Sequence, residues 1–556
     1  METRAYPHAW LLRALVWVGV CLGVVFLYLI FMAHNPQSVT DPDAMDYAQI
    51  ARNLAQGHGF STDFIKPLTL TRVPRLDHQP DLIMAPLHPL LTSLFIRALG
   101  ANDRAVALAS GLPFLLTLLA TYFLGLRLFD RRVALLGTAS FGVYLGTLNY
   151  SISGLEVCLL GLWVTLLLLI LHYLPGADKW RPALAGLAGV LLGAICLTKE
   201  VWMVLLPLVL VYVFFALDRA HRLQALGLVL AGCALVLLPW CLRAAHLTGN
   251  PFFTWRWYEA EMGTLTYPGN TLYRSYRMDV PSPPTFLFYH PGEVYDKMLQ
   301  GTMRLYNVAA TVVGPLILSF FVVAILVPLG DVNFERLRYV IYGAYVLVYI
   351  ALCWVMASPR LLYPLAPVAA VVAAALFLRV LTPLVKNYAP REQVRALTWA
   401  VILFVFLQAL PLTLNLIHRP RPQEAREAAS IKANCQEVAD STTGVIISDV
   451  PWLTAWYSGR TSLWLPRDWD DLDRLETEVG QVQYLLLTSE VASQVSTERT
   501  EGWARLWSAA QMVPGGAYKG FTLFKRIGDS PPYWVLLRKA PALPGHPLEE
   551  GEGASG

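Results

Sequence analysis

Charge is scarce in this chain. Of 556 residues only 15% are Asp, Glu, Lys or Arg, while 56% are hydrophobic and the mean hydropathy is +0.48. A water-soluble globular fold of this length is excluded by that balance, and an integral membrane protein is expected. The net charge is +4 and the basic residues are scattered through short loops, so nothing offers nucleic acid a stripe or tail to bind. Cysteine is nearly absent from polar stretches. Cys21, Cys158, Cys196, Cys233, Cys241 and Cys353 lie in or beside apolar runs, where the thiol acts as a small hydrophobe, and Cys435 alone lies in a polar stretch, which excludes an intradomain disulfide there. Also missing are a Walker loop, G-x-S-x-G, H-E-x-x-H and a strand-to-helix GxGxxG, so nucleotide, serine-hydrolase and zinc-peptidase sites have no support. No internal repeat is present.

Apolar runs, by contrast, are abundant. Segments 10–33, 104–126, 133–151, 153–174, 183–198, 200–217, 223–245, 308–329, 338–356, 361–382 and 397–417 reach or approach the length of about 20 residues that a bilayer requires. These predict about 11 transmembrane helices. The block 183–217 is too long for one helix and carries Thr198, Lys199 and Glu200 at its middle, which fits two short helices meeting at a polar bend. The first run is too long for a cleaved signal peptide and reads as a retained anchor. With the N-terminus cytoplasmic, every inside segment is basic: Arg4 and Arg13; Arg127, Arg131 and Arg132; Lys179 and Arg181; Arg219 and Arg222; Arg336 and Arg338; Lys386, Arg391 and Arg395. The predicted setting is a bacterial-type inner or cell membrane, crossed many times, with loops 34–103 and 246–307 and everything after 418 extracytoplasmic.

Within loop 34–103, Tyr47, Ile50, Ala51 and Leu54 recur at helical spacing until Gly57 and Gly59, and "HPLLTSLFIRALG" from His88 makes a second, interfacial helix. Proline-rich "HRPRPQE" from His418 marks a boundary. Beyond it "GVIISDV", "YLLLT", "TLFKRI" and "YWVLLRK" read as strands, with helical pieces from Trp452 and Asp470. The fold class expected is therefore a polytopic α-helical membrane domain over 1–418, a small C-terminal α/β soluble domain over 419–545 and a disordered tail over 546–556.

The chemistry-bearing residues gather on one predicted side. "DPDAMDYAQIARNLAQGHGF" sets Asp41, Asp43 and Asp46 at the mouth of the first span, with Asp43, Asp46, Tyr47 and Ile50 on one helical face. Asp43 as an N-cap with Asp46 as the third helical residue is the bland reading, and spacing does not decide between it and chemistry. Glu156 opens the fourth span and competes with a Ser153-to-Glu156 capping box. Lys199 at the bend, Arg243 ending the seventh span and Arg360 opening the tenth share that side, although Lys199 also fits a pair with Glu200 and Arg243 fits snorkelling. Three cations facing two acidic clusters on one leaflet are what an anionic lipid head group requires. His58, His78 and His88 match no metal motif, and Asp41 with Asp43 makes a weak D-x-D pair.

The order of "DPDAMDYAQIARNLAQGHGF", "APLHPLL", "GLEV", "LTKE", "LPWCLRAAHLTGNPF" and "RLLYPLAPV" resembles the GT-C membrane glycosyltransferases. The resemblance is in particular to the bacterial family-39-like group, which includes protein O-mannosyltransferases and the aminoarabinose transferase acting on lipid A. The likeness runs over most of 10–382. It implies an enzyme that moves a sugar from a polyprenyl-phosphate donor, with inversion, to a lipid, glycan or protein acceptor on the extracytoplasmic face. By the resemblance Asp43 is the catalytic carboxylate, Glu156 the second acidic position with Asp46 in support, and Lys199, Arg243, Arg360 and Tyr363 the donor-phosphate residues. Tyr47 and His88 are candidates for donor or acceptor contacts. Two departures stand out: Ala44 replaces a frequent second acidic residue, and Ala85–Pro86 replaces a Lys-Pro found in some members, which weakens the case for an aminoarabinose donor. The chemistry needs no cofactor; a divalent metal on Asp41 and Asp43 is the minor alternative. Aromatic residues of loop 246–307, such as Trp255, Trp257 and Tyr258, would serve the acceptor or belt the interface. A flippase for a lipid-linked precursor is the competing function, without the internal pseudo-symmetry such proteins show, and a non-catalytic membrane scaffold is the third.

Overall fold

The computed structural model describes residues 9–35, 39, 41–276, 280–355, 357–417, 422–512, 517–518, 520–529 and 531–539. Arg4, the first residues of the proline-rich boundary (418–421) and the tail 546–556 lie outside them.

Six helices among the described residues are long and apolar enough to cross a membrane: Asp103–Leu128, Val157–Gly176, Arg219–Thr248, Val332–Trp354, Pro359–Leu384 and Pro390–Ile417. Helix Ala9–His34 adds the first apolar run, of which Leu22–His34 is among the shorter apolar helices, with Leu87–Leu99, Arg181–Cys196 and Glu200–Ala216. The protein is thus a multi-pass membrane protein. The most apolar stretch of Pro359–Leu384 is 89% buried, against 11% for Pro390–Ile417, so the former is the hub of the bundle and the latter presents its side chains outward. Where Arg181–Cys196 and Arg219–Thr248 cross, glycine lets the backbones touch. A Cβ on Gly232 would stand 2.3 Å from the Gly186 carbonyl oxygen, and one on Gly189 would stand 2.0 Å from that of Val229.

Several expected spans take other forms. Segment 133–151 divides into Arg131–Gly142 and Leu145–Ser151, because Tyr144 is extended and its hydroxyl donates to the Thr311 carbonyl at 2.7 Å. Segment 308–329 is not one helix either: Pro291–Val313 and Pro315–Val323 meet at 108°, with Gly314 at φ +99° followed by a proline that cannot continue the hydrogen-bond ladder. That helix starts at Pro291, so the second large loop is 249–290 instead of 246–307. The polar bend is where hydropathy placed it, Lys199 being extended between Cys196 and the 3-10 turn Glu200–Val204.

In the first loop the helix Pro42–Gln56 is capped by Asp41, not Asp43. The Asp41 carboxylate accepts from the Asp43 amide at 2.9 Å, Pro42 takes the first helical position, and Gly57 at φ +87° ends the helix. A short antiparallel pair, Ser61–Thr62 with Gln79–Pro80, and helix Leu87–Leu99 complete the loop.

A second compact unit comprises Asp63–Asp77, Tyr273–Met278 and Ser430–Gly556. Its seven-stranded sheet runs in the order Phe64–Ile65, Ser462–Trp464, Ile446–Ser448, Tyr484–Leu487, Trp534–Lys539, Phe521–Ile527, Ala517–Tyr518. The first four strands are parallel and the last three antiparallel, with Ile447 opposite both Leu463 and Leu485. Continuous apolar runs such as Ile446–Ile447 and Leu485–Leu487 are what strands covered on both faces require. Helix Trp469–Glu478 begins on the Asp468 cap; the segment from Trp452 makes only short turns. Strand Phe64–Ile65 is contributed by the first loop, about 400 residues away in sequence, a separation no local pattern can signal.

Candidate functional site

Four elements deliver side chains to one place in the membrane unit. The turn before helix Pro42–Gln56 brings Asp41 and Asp43, the residue before helix Val157–Tyr173 brings Glu156, the extended bend brings Lys199, and the 3-10 turn Pro359–Leu365 brings Arg360. Arg360 is the fork between the two aspartates: one amino group lies 3.0 Å from Asp41 Oδ2 and the other bonds Asp43. Asp41 therefore does two jobs, capping with one oxygen and pairing with the other. Beside this fork, Lys199 Nζ stands 3.3 Å from Glu156 Oε1, and both side chains are buried. The capping-box reading of Glu156 does not hold, since no side-chain cap bond is made there and its partner is Lys199 rather than the backbone. Lys199 likewise pairs with Glu156, not with its neighbour Glu200, which faces Arg256 at 3.7 Å.

Electrostatics separate the two aspartates. Burial alone would push the Asp43 carboxyl up, but Arg360, Lys199 and Arg256 outweigh it and hold that group well below the usual carboxylate range. For Asp41 burial outweighs the help from Arg360, and the negative charges of Asp43 and Glu156 add to it, so its carboxyl is raised. Of the two, Asp43 is the one whose charged form the surroundings favour.

Around these charges lie polar atoms with no hydrogen-bond partner among the described residues: the buried Tyr47 hydroxyl, His88 Nδ1, Glu156 Oε2 and Arg360 Nε. His88 bonds the Gly154 carbonyl through Nε2 at 2.8 Å, and its ring meets Tyr47 edge-on with centroids 5.1 Å apart. Buried polar groups are normally satisfied, so this concentration is hydrogen-bonding capacity that the described residues leave unused.

The other sequence-predicted residues stand apart from this group. Asp46 is buried one helical turn on and accepts from Gln49 at 2.8 Å. Arg243 donates to the carbonyls of Asp81 and Phe60 at 2.7 and 2.9 Å and lies 4.7 Å from the Trp240 ring, which makes it a brace for the first loop. The Tyr363 hydroxyl is buried 3.5 Å from the Cys158 thiol, with its ring 5.3 Å from that of Tyr150. The sequence reading kept a divalent metal on Asp41 and Asp43 as a minor alternative, and in this arrangement the pair serves Arg360. Both carboxylates converge on a guanidinium, and no third His, Cys, Asp or Glu joins them among the described residues.

One contributor is missing from the sequence reading. Arg256, in "TWRWYEAE", is buried; its Nε donates to the Ile83 carbonyl at 2.8 Å, an amino group pairs with Glu259 at 2.8 Å, and its charge reaches Asp43 and Tyr47. Trp255 beside it is buried and bonds the Leu82 carbonyl through its amide at 3.2 Å, whereas Trp257 is exposed. An arginine between two tryptophans in a polar loop is the available signal, and hydropathy counts it only as an outside positive charge.

A family model described as Dolichyl-phosphate-mannose-protein mannosyltransferase matches residues 79–242. ArnT from Cupriavidus metallidurans, in a crystal structure bound to undecaprenyl phosphate, superposes with a TM-score of 0.57 at 12% identity, over 97% of this chain and 100% of that one. This chain shares the fold of that protein. The Archaeoglobus fulgidus oligosaccharyltransferase shares it, with a TM-score of 0.54 at 14% identity in its apo form, over 90% of this chain and 72% of that one. The same archaeal protein, AglB, in complex with an inhibitory peptide and a dolichol-phosphate gives 0.52 at 14% identity, over 89% and 72%. No curated protein matches the sequence. At these identities the likeness is one of fold.

Proposed function

We propose that the protein is a glycosyltransferase that takes a sugar from a polyprenyl-phosphate donor and places it, with inversion, on a hydroxyl of a lipid, glycan or protein acceptor at the extracytoplasmic face of the membrane. The observation that carries this reading is the cluster in which half-buried Arg360 and buried Lys199 face half-buried Asp43 and buried Glu156 at one end of the membrane helices. Support comes from the GT-C fold and from two proteins of that fold whose structures hold a polyprenyl phosphate or a dolichol phosphate.

The mechanism follows from where charge develops. The acceptor hydroxyl is a weak nucleophile; a hydrogen bond to ionised Asp43 raises its electron density as its oxygen closes on the anomeric carbon. The bond from that carbon to the phosphate oxygen breaks, the polyprenyl phosphate leaves with the electron pair, and the hydroxyl proton ends on Asp43. Single displacement inverts the configuration. Arg360 and Lys199 are worth most in the transition state, when the phosphate is gaining charge. A donor phosphate that engages these two cations draws them from Asp43, whose carboxyl then rises toward its ordinary basicity as the donor settles. Glu156 supports the positive charge on the sugar ring, Tyr47 and His88 offer free polar atoms to the sugar or acceptor, and Arg256 adds positive charge near Asp43. Arg243 contributes by holding the first loop in place, and no step is routed through a metal.

The test is transfer from a radiolabelled polyprenyl-phosphate sugar by the Asp43→Asn protein. Loss of about 100-fold or more at normal expression is expected; full turnover would end the proposal, and transbilayer movement of the donor without any transfer would favour the flippase.

A further inference from the structure

The end of the helix bundle away from the carboxylate cluster is built differently. Arg127 lies in the last turn of Asp103–Leu128, His172 in the last turn of Val157–Tyr173 and Arg336 near the start of Val332–Trp354. His172 is within electrostatic reach of both arginines, and Tyr212 within that of Arg336. Arg336 is exposed and makes no hydrogen bond or ion pair among the described residues, while Arg127 only lies over the Tyr173 ring at 5.4 Å. The one acid on this groove, Glu335, is already paired with Arg338 at 3.0 Å. Below the arginine opens a cavity of about 730 Å³ lined by Leu208, Val211, Tyr212, Phe215, Arg336 and Tyr339 among others. Phe215 and Tyr339 stand exposed on it, and the Tyr212 hydroxyl donates to the Leu171 carbonyl, which leaves the floor apolar.

We propose that this groove binds one anionic phospholipid, an acyl chain lying along Leu208, Val211 and Phe215 and the head-group phosphate meeting Arg336 and Arg127. The combination is specific. A neutral lipid would fill the apolar floor and leave two arginines unmatched, and a free phosphate would meet the arginines and leave the floor empty; only a molecule with both parts uses the whole groove. Basic pockets between membrane helices at a bilayer surface recognise anionic head groups in this way, and the volume is that of an ordinary ligand site. The site is independent of the transfer reaction and stands whether or not that reading holds.

The experiment uses the full-length protein, stripped of lipid in a maltoside detergent and titrated with phosphatidylglycerol, with phosphatidylethanolamine of the same chains, and with glycerol 3-phosphate, bound species being counted by native mass spectrometry. One phosphatidylglycerol per chain is expected, bound about fivefold or more tighter than phosphatidylethanolamine, with no competition from glycerol 3-phosphate. Arg336→Gln should weaken it about fivefold, and Arg127→Gln with Arg336→Gln about 25-fold. Val211→Trp, at a half-exposed position where the larger side chain fills the groove, should reduce retention with both arginines in place, and it decides the matter should the arginine variants not fold. Equal retention of both lipids, unchanged binding to these variants, or displacement by glycerol 3-phosphate would overturn the proposal.

Discussion

The two ends of the membrane helices treat charge in opposite ways. At one end Asp41, Asp43 and Glu156 are matched by Arg360 and Lys199, with Glu156 and Lys199 wholly inside the protein. At the other, Arg127 and Arg336 are exposed and make no ion pair among the described residues, and Arg336 lines an apolar groove. Buried charge survives only when paired, and a set of pairs with spare hydrogen-bonding capacity can exchange partners with a ligand. Unpaired surface cations at a helix end cost little and attract anionic lipid over a longer range. In the proposed reading, the difference is that between a reaction centre and a lipid contact.

Breaking the buried pair should have the largest effect. Glu156→Gln leaves Lys199 buried without its ion-pair partner and should cost about 3–5 kcal/mol, read as a lowered thermal midpoint in detergent. Adding Lys199→Met should restore much of that stability without restoring transfer. The same removal of charge at Arg127 should leave the midpoint nearly unchanged, which is the contrast that defines the two ends.

Arg360→Gln should lower the transfer rate by about 100- to 1,000-fold, since it removes a donor that the proposed mechanism gives to the leaving phosphate. Arg243→Gln should cost about 2–3 kcal/mol through its two lost charge-assisted bonds to the Phe60 and Asp81 carbonyls. Activity should fall only as far as the first loop loosens, measured as a shift in unfolding temperature matched by a rise in KM.

The smallest effect is on pH dependence. Asp43 has its carboxyl depressed in the folded protein, so what its charge contributes is present above the ordinary carboxylate value of about 3.9 and lost as pH falls through the lower folded value. Removing Arg360 takes away the largest lowering influence. The acid limb of the residual activity of Arg360→Gln should therefore move to higher pH, and that of Arg243→Gln should not move.

Much of this contrast is legible in the amino acids. Lys199 between two short apolar runs could only be a bend, and Asp43, Glu156, Lys199 and Arg360 fall at helix ends that alternate to the same side. What local pattern could not convey was partner choice. Arg243 and Arg360 both sit at span ends, yet one is taken up by backbone carbonyls and the other by carboxylates, a difference made by loops more than 150 residues away in sequence. Asp41 rather than Asp43 caps the first-loop helix because Pro42 fills the first helical position, which "DPD" contained and the spacing from Asp43 to Asp46 obscured. Hydropathy likewise measured 308–329 as a span while Gly314 and Pro315 broke it, since an average over a window is blind to one φ of +99°.

Central to the account is that Asp43 acts in the chemical step and not in holding the donor. Single-turnover transfer by Asp43→Asn protein preloaded with polyprenyl-phosphate sugar tests that most directly. Donor should remain bound at near wild-type occupancy while formation of the glycosylated acceptor and release of polyprenyl phosphate fall together by about 100-fold or more; transfer at the wild-type rate from the preloaded variant would contradict it.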